Sequence, residues 1–252
     1  MTHMSDAAKP FAARHPADRA FFLAFAAVAI VAVAGGFLPR LSTIFSGERA
    51  WPPFPVHVHA VLFYGWIVLL TTQVFLVRRG NLAMHRRLGW AGLALAVAMV
   101  GVGAWMAVTM AGWHLERGSD RGLGFLPVPL MDLVIFSVLI GWAAFSRRDA
   151  STHKRLMLLG TTQLLGAGFG RMDLYAMPPT PWAPQVQMFV NLYGALWVIM
   201  ALAIAFDVAT RGRPHRVWLI AVPFTVAAQF VAASLLVWPG WKPFAAGMLG
   251  IG

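Results

Sequence analysis

Apolar residues along this chain fall in long blocks rather than in the short periods of a water-soluble fold. Seven such stretches, roughly 20–38, 56–77, 88–111, 125–145, 156–172, 186–208 and 217–237, are separated by polar turns. An α-helix needs about 18–25 apolar residues to cross a hydrocarbon layer of about 30 Å, and these blocks match that length. The fifth is the shortest and the most interrupted by hydroxyl, amide and glycine residues. The pattern predicts an all-α fold, a polytopic membrane bundle of seven transmembrane helices forming a single domain over 1–252. Residues 1–19 would be a cytoplasmic tail, 20–238 the bundle and 239–252 an outer tail. The first block is read as a retained span: its apolar run exceeds that of a signal peptide, and no clean Ala-x-Ala cleavage site follows it.

Three of the polar turns repeat one phrase. Arg78-Arg79 precedes His85-Arg86-Arg87-Leu88, Arg147-Arg148 precedes His153-Lys154-Arg155-Leu156, and Arg211-Gly212-Arg213-Pro214 leads into His215-Arg216. A histidine therefore stands at the start of three predicted helices, each time among cations and each time on the same membrane face.

Charge sets the expected orientation, because short cytoplasmic segments carry the excess of lysine and arginine. With the N-terminus inside, fourteen cations fall on inner segments and six on outer ones (Arg40, Arg49, Arg117, Arg121, Arg171 and Lys242). The expectation is N-terminus in and C-terminus out, in the inner membrane of a bacterium. Basic loops facing anionic lipid headgroups account for the formal net charge of +11. No nucleic-acid-binding motif is present, so the expected partners are the lipid bilayer and a larger membrane complex, with no nucleic acid.

Composition narrows the chemistry. Hydrophobic residues make up 59% and charged residues 12%, which excludes a soluble globule. With no cysteine, disulfides, iron–sulfur clusters and thiolate ligands are excluded. The only lysines are Lys9, Lys154 and Lys242, all outside the predicted spans, which argues against a retinal Schiff base. No hydrolase or transferase constellation stands out, and no catalytic residue is assigned. Tryptophans near the block ends (Trp51, Trp90, Trp113, Trp182, Trp218, Trp238 and Trp241) read as an interfacial belt.

Polar groups within membrane spans are costly and tend to face the bundle interior, so they mark candidate sites. Towards the outer side lie His57, His59, Asp132, Arg171, Asp173, Gln187 and Asn191; towards the inner side lie Gln73, His85, His153, Asp207 and His215, with Gln163 between. The fourteen positions from His59 to Gln73 span about 21 Å of helix, so the two sets belong to opposite leaflets. His57, His59 and Asp132 are candidate metal ligands. Gln73, Gln163, Arg171, Asp173 and Asn191 are candidate cavity residues; Arg171 with Asp132 and Asp173 reads equally well as a structural ion pair. On the inner side, helix N-termini and neighbouring arginines disfavour imidazolium, leaving neutral imidazole, the form that ligates haem iron or copper. The competing reading is that each His-Arg-Arg group anchors a helix end to lipid phosphates.

His59, Gln73, the run His85-Arg86-Arg87-Leu88-Gly89 and the later His215-Arg216 resemble a family of small bacterial multi-pass membrane proteins with repeated His-Arg-Arg/Lys helix starts, one branch of which is implicated in assembling haem-copper oxidases. The resemblance spans about helices 2–7 and implies His59, His85, His153 and His215 as ligands of haem b or copper. The chain departs from it in the Lys after His153 and in the additional first helix. Three functions follow as expectations. The first is an accessory subunit or assembly factor of an inner-membrane redox or pigment-bearing complex. The second is a membrane redox protein binding b-type haem or copper. The third is a small-molecule or proton transporter, which would need a broken helix, for which Gly166 to Gly170 is the candidate.

Overall fold

The computed structural model describes residues 11–172 and 184–251, and among them there is helix and no strand. The helices are α1 (Asp18–Phe45), α2 (Phe54–Arg78), α3 (Leu82–Leu115), the short α4 (Arg121–Phe125), α5 (Pro127–Phe145), α6 (Ala150–Phe169), α7 (Pro184–Arg211), α8 (Trp218–Val237) and α9 (Trp241–Leu249). Six segments are long and apolar enough to cross a membrane: α1, α2, α3, α4 running on into α5, α7 and α8. Their outward residues are apolar too. Val31, Val61, Val97, Leu202, Leu219 and Phe230 are all more than half exposed, a surface that lipid rather than water satisfies.

The remaining long helix, α6, is the expected fifth span, and it differs from expectation in both bounds and character. It starts at Ala150 rather than 156, because Asp149 caps it: the carboxylate accepts from the Ser151 and Thr152 backbone N–H groups at 2.9 and 3.2 Å and from the Thr152 hydroxyl at 2.6 Å. The earlier start places Lys154 and Arg155 inside the helix. It is too polar to stand in lipid alone, and it does not: α1, α5 and α7 pack around it, burying Thr161, Thr162 and Gln163 with the flanking Leu158, Leu159 and Leu165. Against α1 the backbones themselves meet. A Cβ added at Gly36 would run into the backbone of Gly168, and one added at Gly168 into that of Ala32.

The helix ends sort into two groups. At one end, termed the basic end, lie the start of α1 and the turns α2–α3, α5–α6 and α7–α8. Here the repeated sequence phrase has a structural reason, for each turn is closed by a local device. Gly80 adopts φ 75° and Asn81 accepts from Met84 N–H at 3.1 Å; Asp149 caps α6; Gly212 adopts φ 73° and the His215 ring nitrogen Nδ1 accepts from Val217 N–H at 3.2 Å. At the opposite end the expected outer tail is itself helical. In α9, the Trp241 indole donates to the Leu123 carbonyl at 2.8 Å, Lys242 pairs with Asp120 at 2.6 Å, and Ala245 packs into a small core shared with α3 and α4. The expected tryptophan belt is only partly a belt. Trp51, Trp90 and Trp238 are exposed, whereas Trp218 and Trp241 are buried because each spends its N–H on an interior acceptor. Trp182 lies outside the described residues.

Candidate functional site

Three polar assemblies occupy the interior, and the expected site residues divide among them. The first lies at the basic end, where α2, α3 and α6 come together. His85, on the fourth residue of α3, and His153, on the fourth residue of α6, have ring centres 6.4 Å apart with the rings nearly perpendicular. His153 Nδ1 lies 2.8 Å from the carbonyl of Ala143 on α5. A carbonyl only accepts, so Nδ1 carries a proton and Nε2 is the nitrogen left for another partner. His85 Nδ1 is buried with no partner among the described residues. Gln73 donates from Nε2 to the His85 carbonyl at 3.2 Å and leaves its own Oε1 buried and unpartnered. Of the five inner polar residues expected together, Gln73, His85 and His153 lie side by side here.

The third expected member is elsewhere. His215 lies beyond α6, its ring edge-on to Phe11 at 4.7 Å and its backbone N–H 3.4 Å from Asp207. Its neighbourhood is the second assembly, a buried ionic network whose partners lie far apart along the chain. Arg155, 3% exposed, grips Asp207 with Nε at 2.6 Å and Nη2 in a close second contact, while Trp218 donates to the same carboxylate at 2.7 Å. Arg211 reaches Asp207 at 3.5 Å and Asp18 at 2.7 Å, and Lys154 also pairs with Asp18 at 2.7 Å. Two carboxylates thus serve three cations drawn from α6 and α7. The segment before α1 is strapped across them: Lys154 donates to the Ala13 carbonyl, Arg211 to that of Ala12, and the Phe11 ring lies 4.8 Å from the Arg155 guanidinium. Burial, then the Arg155 charge, drives the His215 pKa down to about 4, so it is neutral at pH 7. The hydrogen bond from Thr152 holds the Asp149 carboxyl below its ordinary value.

The third assembly runs through α5–α8. Trp197 donates to Gln229 Oε1 at 2.8 Å, and Gln229 donates to Gln163 Oε1 at 3.0 Å. Asp132 Oδ1, Gln163 Nε2, Asn191 Oδ1, Tyr193 OH and Thr225 Oγ1 are buried there without partners among the described residues. Gln163 and Asn191 were read from the sequence as cavity residues; Gln229 and Trp197, which complete the chain of hydrogen bonds, were not.

The expected outer metal group does not come together. His57 Nε2 lies 3.2 Å from the Pro52 carbonyl, and His59 stacks on Phe63 at 3.8 Å with its Nδ1 unpartnered. Among the described residues no three His, Asp or Glu side chains are placed to hold one metal ion, so His57, His59 and Asp132 do not form that site. The cause is spacing: residues two apart on α2 point to different sides of the helix. Arg171 donates to the Ala167 carbonyl at 2.5 Å and lies 4.7 Å from the Phe37 ring; Asp173, its expected companion, is outside the described residues. The helix break expected of a transporter at Gly166 to Gly170 is not found, since α6 runs unbroken to Phe169.

No family model matches the chain, and neither a curated protein nor a solved structure is similar to it.

Proposed function

We propose that this chain is a bacterial inner-membrane protein of seven transmembrane helices that holds b-type haem or copper between His85 and His153, as a redox or metal-handling protein. The observation that carries the reading is the histidine pair. A metal–imidazole bond of about 2 Å on either side, with the half-width of each ring, separates two ring centres by about 6 Å across a shared metal. The separation of His85 and His153 is 6.4 Å. His153 has the outer-sphere arrangement of a ligating imidazole, one nitrogen on a backbone carbonyl and the other left as a donor pair. His85 carries a buried nitrogen with nothing else to do. The four-histidine centre implied by the family resemblance does not fit, since His59 stacks on Phe63 and the His215 Nδ1 accepts from the Val217 N–H; a two-histidine centre does. Bound there, the metal would supply one-electron chemistry, while the chain would supply two imidazole donors from the first turns of α3 and α6.

Two features support the topology. Among the described residues the basic end gathers thirteen of the nineteen lysines and arginines, which favours its placement in the cytoplasm with the N-terminus inside. The 20 residues of α6 reach about 30 Å at 1.5 Å per residue, enough to make it the seventh span within a sheath of its neighbours.

One observation favours a second use of the same pair. Among the described residues no third His, Asp or Glu joins it. A metal held by two protein donors exchanges readily, which suits an accessory or assembly factor that passes its cargo to a larger complex. The test is titration of the purified protein with haem and, separately, with copper(I) under reductant. One equivalent should bind, His85→Ala and His153→Ala should abolish uptake, and His59→Ala and His215→Asn should leave it intact. Uptake that survives loss of both His85 and His153 refutes the proposal.

A further inference from the structure

Each of the three helices that meet around the histidine pair leaves one side-chain atom unspent, and each of these atoms can offer an electron pair. On α2, Gln73 donates from Nε2 to the His85 carbonyl at 3.2 Å. That carbonyl only accepts, so the amide cannot be turned over, and Oε1 is the atom left buried with no partner among the described residues. On α3, His85 leaves Nδ1 buried and unpartnered in the same way. On α6, His153 commits Nδ1 to the Ala143 carbonyl at 2.8 Å and keeps Nε2 for another partner. Gln73 and His85 do not satisfy one another, for no hydrogen bond joins Oε1 to Nδ1 although the two residues are already in contact. Buried polar atoms are nearly always paired, so two neighbouring orphans point to a species that takes electron pairs from both.

The donors say which kind of species. Two imidazole nitrogens and an amide oxygen make a neutral set, and no third His, Asp or Glu joins them among the described residues. An amide oxygen is a hard donor that suits divalent ions, whereas soft copper(I) is served by the imidazoles. Haem has no place for it, since two axial imidazoles complete an iron whose other positions the macrocycle fills. Among divalent first-row ions, copper(II) binds nitrogen and oxygen donors most strongly. Arg86 and Arg87, next along α3, are exposed, so water and salt screen their charge from the site. We propose that Gln73 is a third protein ligand, binding copper(II) through Oε1 together with His85 Nδ1 and His153 Nε2, with water completing the coordination. Copper(I) is held by the two histidines alone. This inference rests on the histidine-pair reading and deepens it, by selecting copper over haem.

The experiment uses the full chain in mild detergent, stripped of metal and titrated with copper(II), and separately with copper(I) under reductant, in competition with a chromophoric chelator. The wild type should take up one equivalent of each. Gln73→Leu should weaken copper(II) binding roughly tenfold or more, because even the outer partners of a metal site are worth about 10–100-fold in affinity, and should leave copper(I) unchanged. That split separates a ligand from a residue that merely shapes the site, whose loss would weaken both ions together. Gln73→Glu, of the same size, is a second variant should Gln73→Leu fail to fold; its carboxylate should hold copper(II) more tightly and copper(I) no more tightly than the amide. Copper(II) affinity unchanged in both variants, or a parallel loss of both ions in Gln73→Leu, overturns Gln73 as a ligand and leaves the histidine pair standing. Uptake of haem at His85 and His153 with no copper(II) bound overturns it too, again without harm to the pair. A wild type that takes up neither copper ion nor haem overturns the pair and the third ligand together.

Discussion

Removing the carboxylate of Asp207 tests whether the ionic network holds the basic end together. In Asp207→Asn the Arg155 guanidinium stays 3% exposed and loses both of its carboxylate contacts, and the Trp218 indole keeps at best a weaker acceptor. Stripping one partner from a buried pair costs about 3–5 kcal/mol, because the remaining charge stays desolvated. Arg211 limits the damage only in part, being itself a cation with Asp18 as its other partner. For a chain of this size a loss of 1 kcal/mol lowers the melting temperature by about 2–4 °C, so the variant should melt on the order of 10 °C below the parent. Intrinsic tryptophan fluorescence on heating in detergent reads this, as the summed signal of the eleven tryptophans. The double variant Arg155→Met/Asp207→Leu is the control: with both charges gone it should recover most of the loss. A melting temperature within 2 °C of the parent for Asp207→Asn, or a double variant worse than the single, would refute the reasoning.

Two further outcomes follow from the same structure. Gly168→Ala should destabilise by about 1–3 kcal/mol, since the added methyl meets the Ala32 backbone rather than a side chain that can turn away; thermal melting checks it against Gly101→Ala, where the space is open. Folding holds His215 neutral down to about pH 4, whereas the unfolded chain protonates it near 6.5. Between those values the unfolded state binds more protons, so stability is full above about pH 6.5 and falls as pH drops towards 4. His215→Asn keeps an acceptor for the Val217 N–H without titrating and should flatten that part of the profile.

How much of this was legible in the sequence depends on whether the cause is local. Block length gave the long apolar helices, and the repeated His-Arg phrase gave the turns at the basic end, because span length and capping are properties of neighbouring residues. The bounds of α6 were not legible in the same way. Lys154 and Arg155 read as interfacial loop cations, yet they sit inside a helix because Asp18 and Asp207, 136 and 52 residues away, neutralise them. Asp207 was visible as an inner polar residue, but nothing in its surroundings named Arg155 as its partner. The histidines divide similarly. That His85 and His153 meet requires α3 and α6 to be brought together by packing with α5, whereas the His215 ring is held in the turn before α8 by the Val217 N–H.

The metal centre proposed at His85 and His153 is open to one decisive experiment. The most direct measurement is the absorption spectrum, oxidised and reduced, of protein purified from native membranes, with metal analysis of the same sample. The account predicts a Soret band or one equivalent of copper that disappears in His85→Ala and His153→Ala and persists in His215→Asn. A colourless, metal-free preparation that stays so after loading with haem or copper(I) would contradict it.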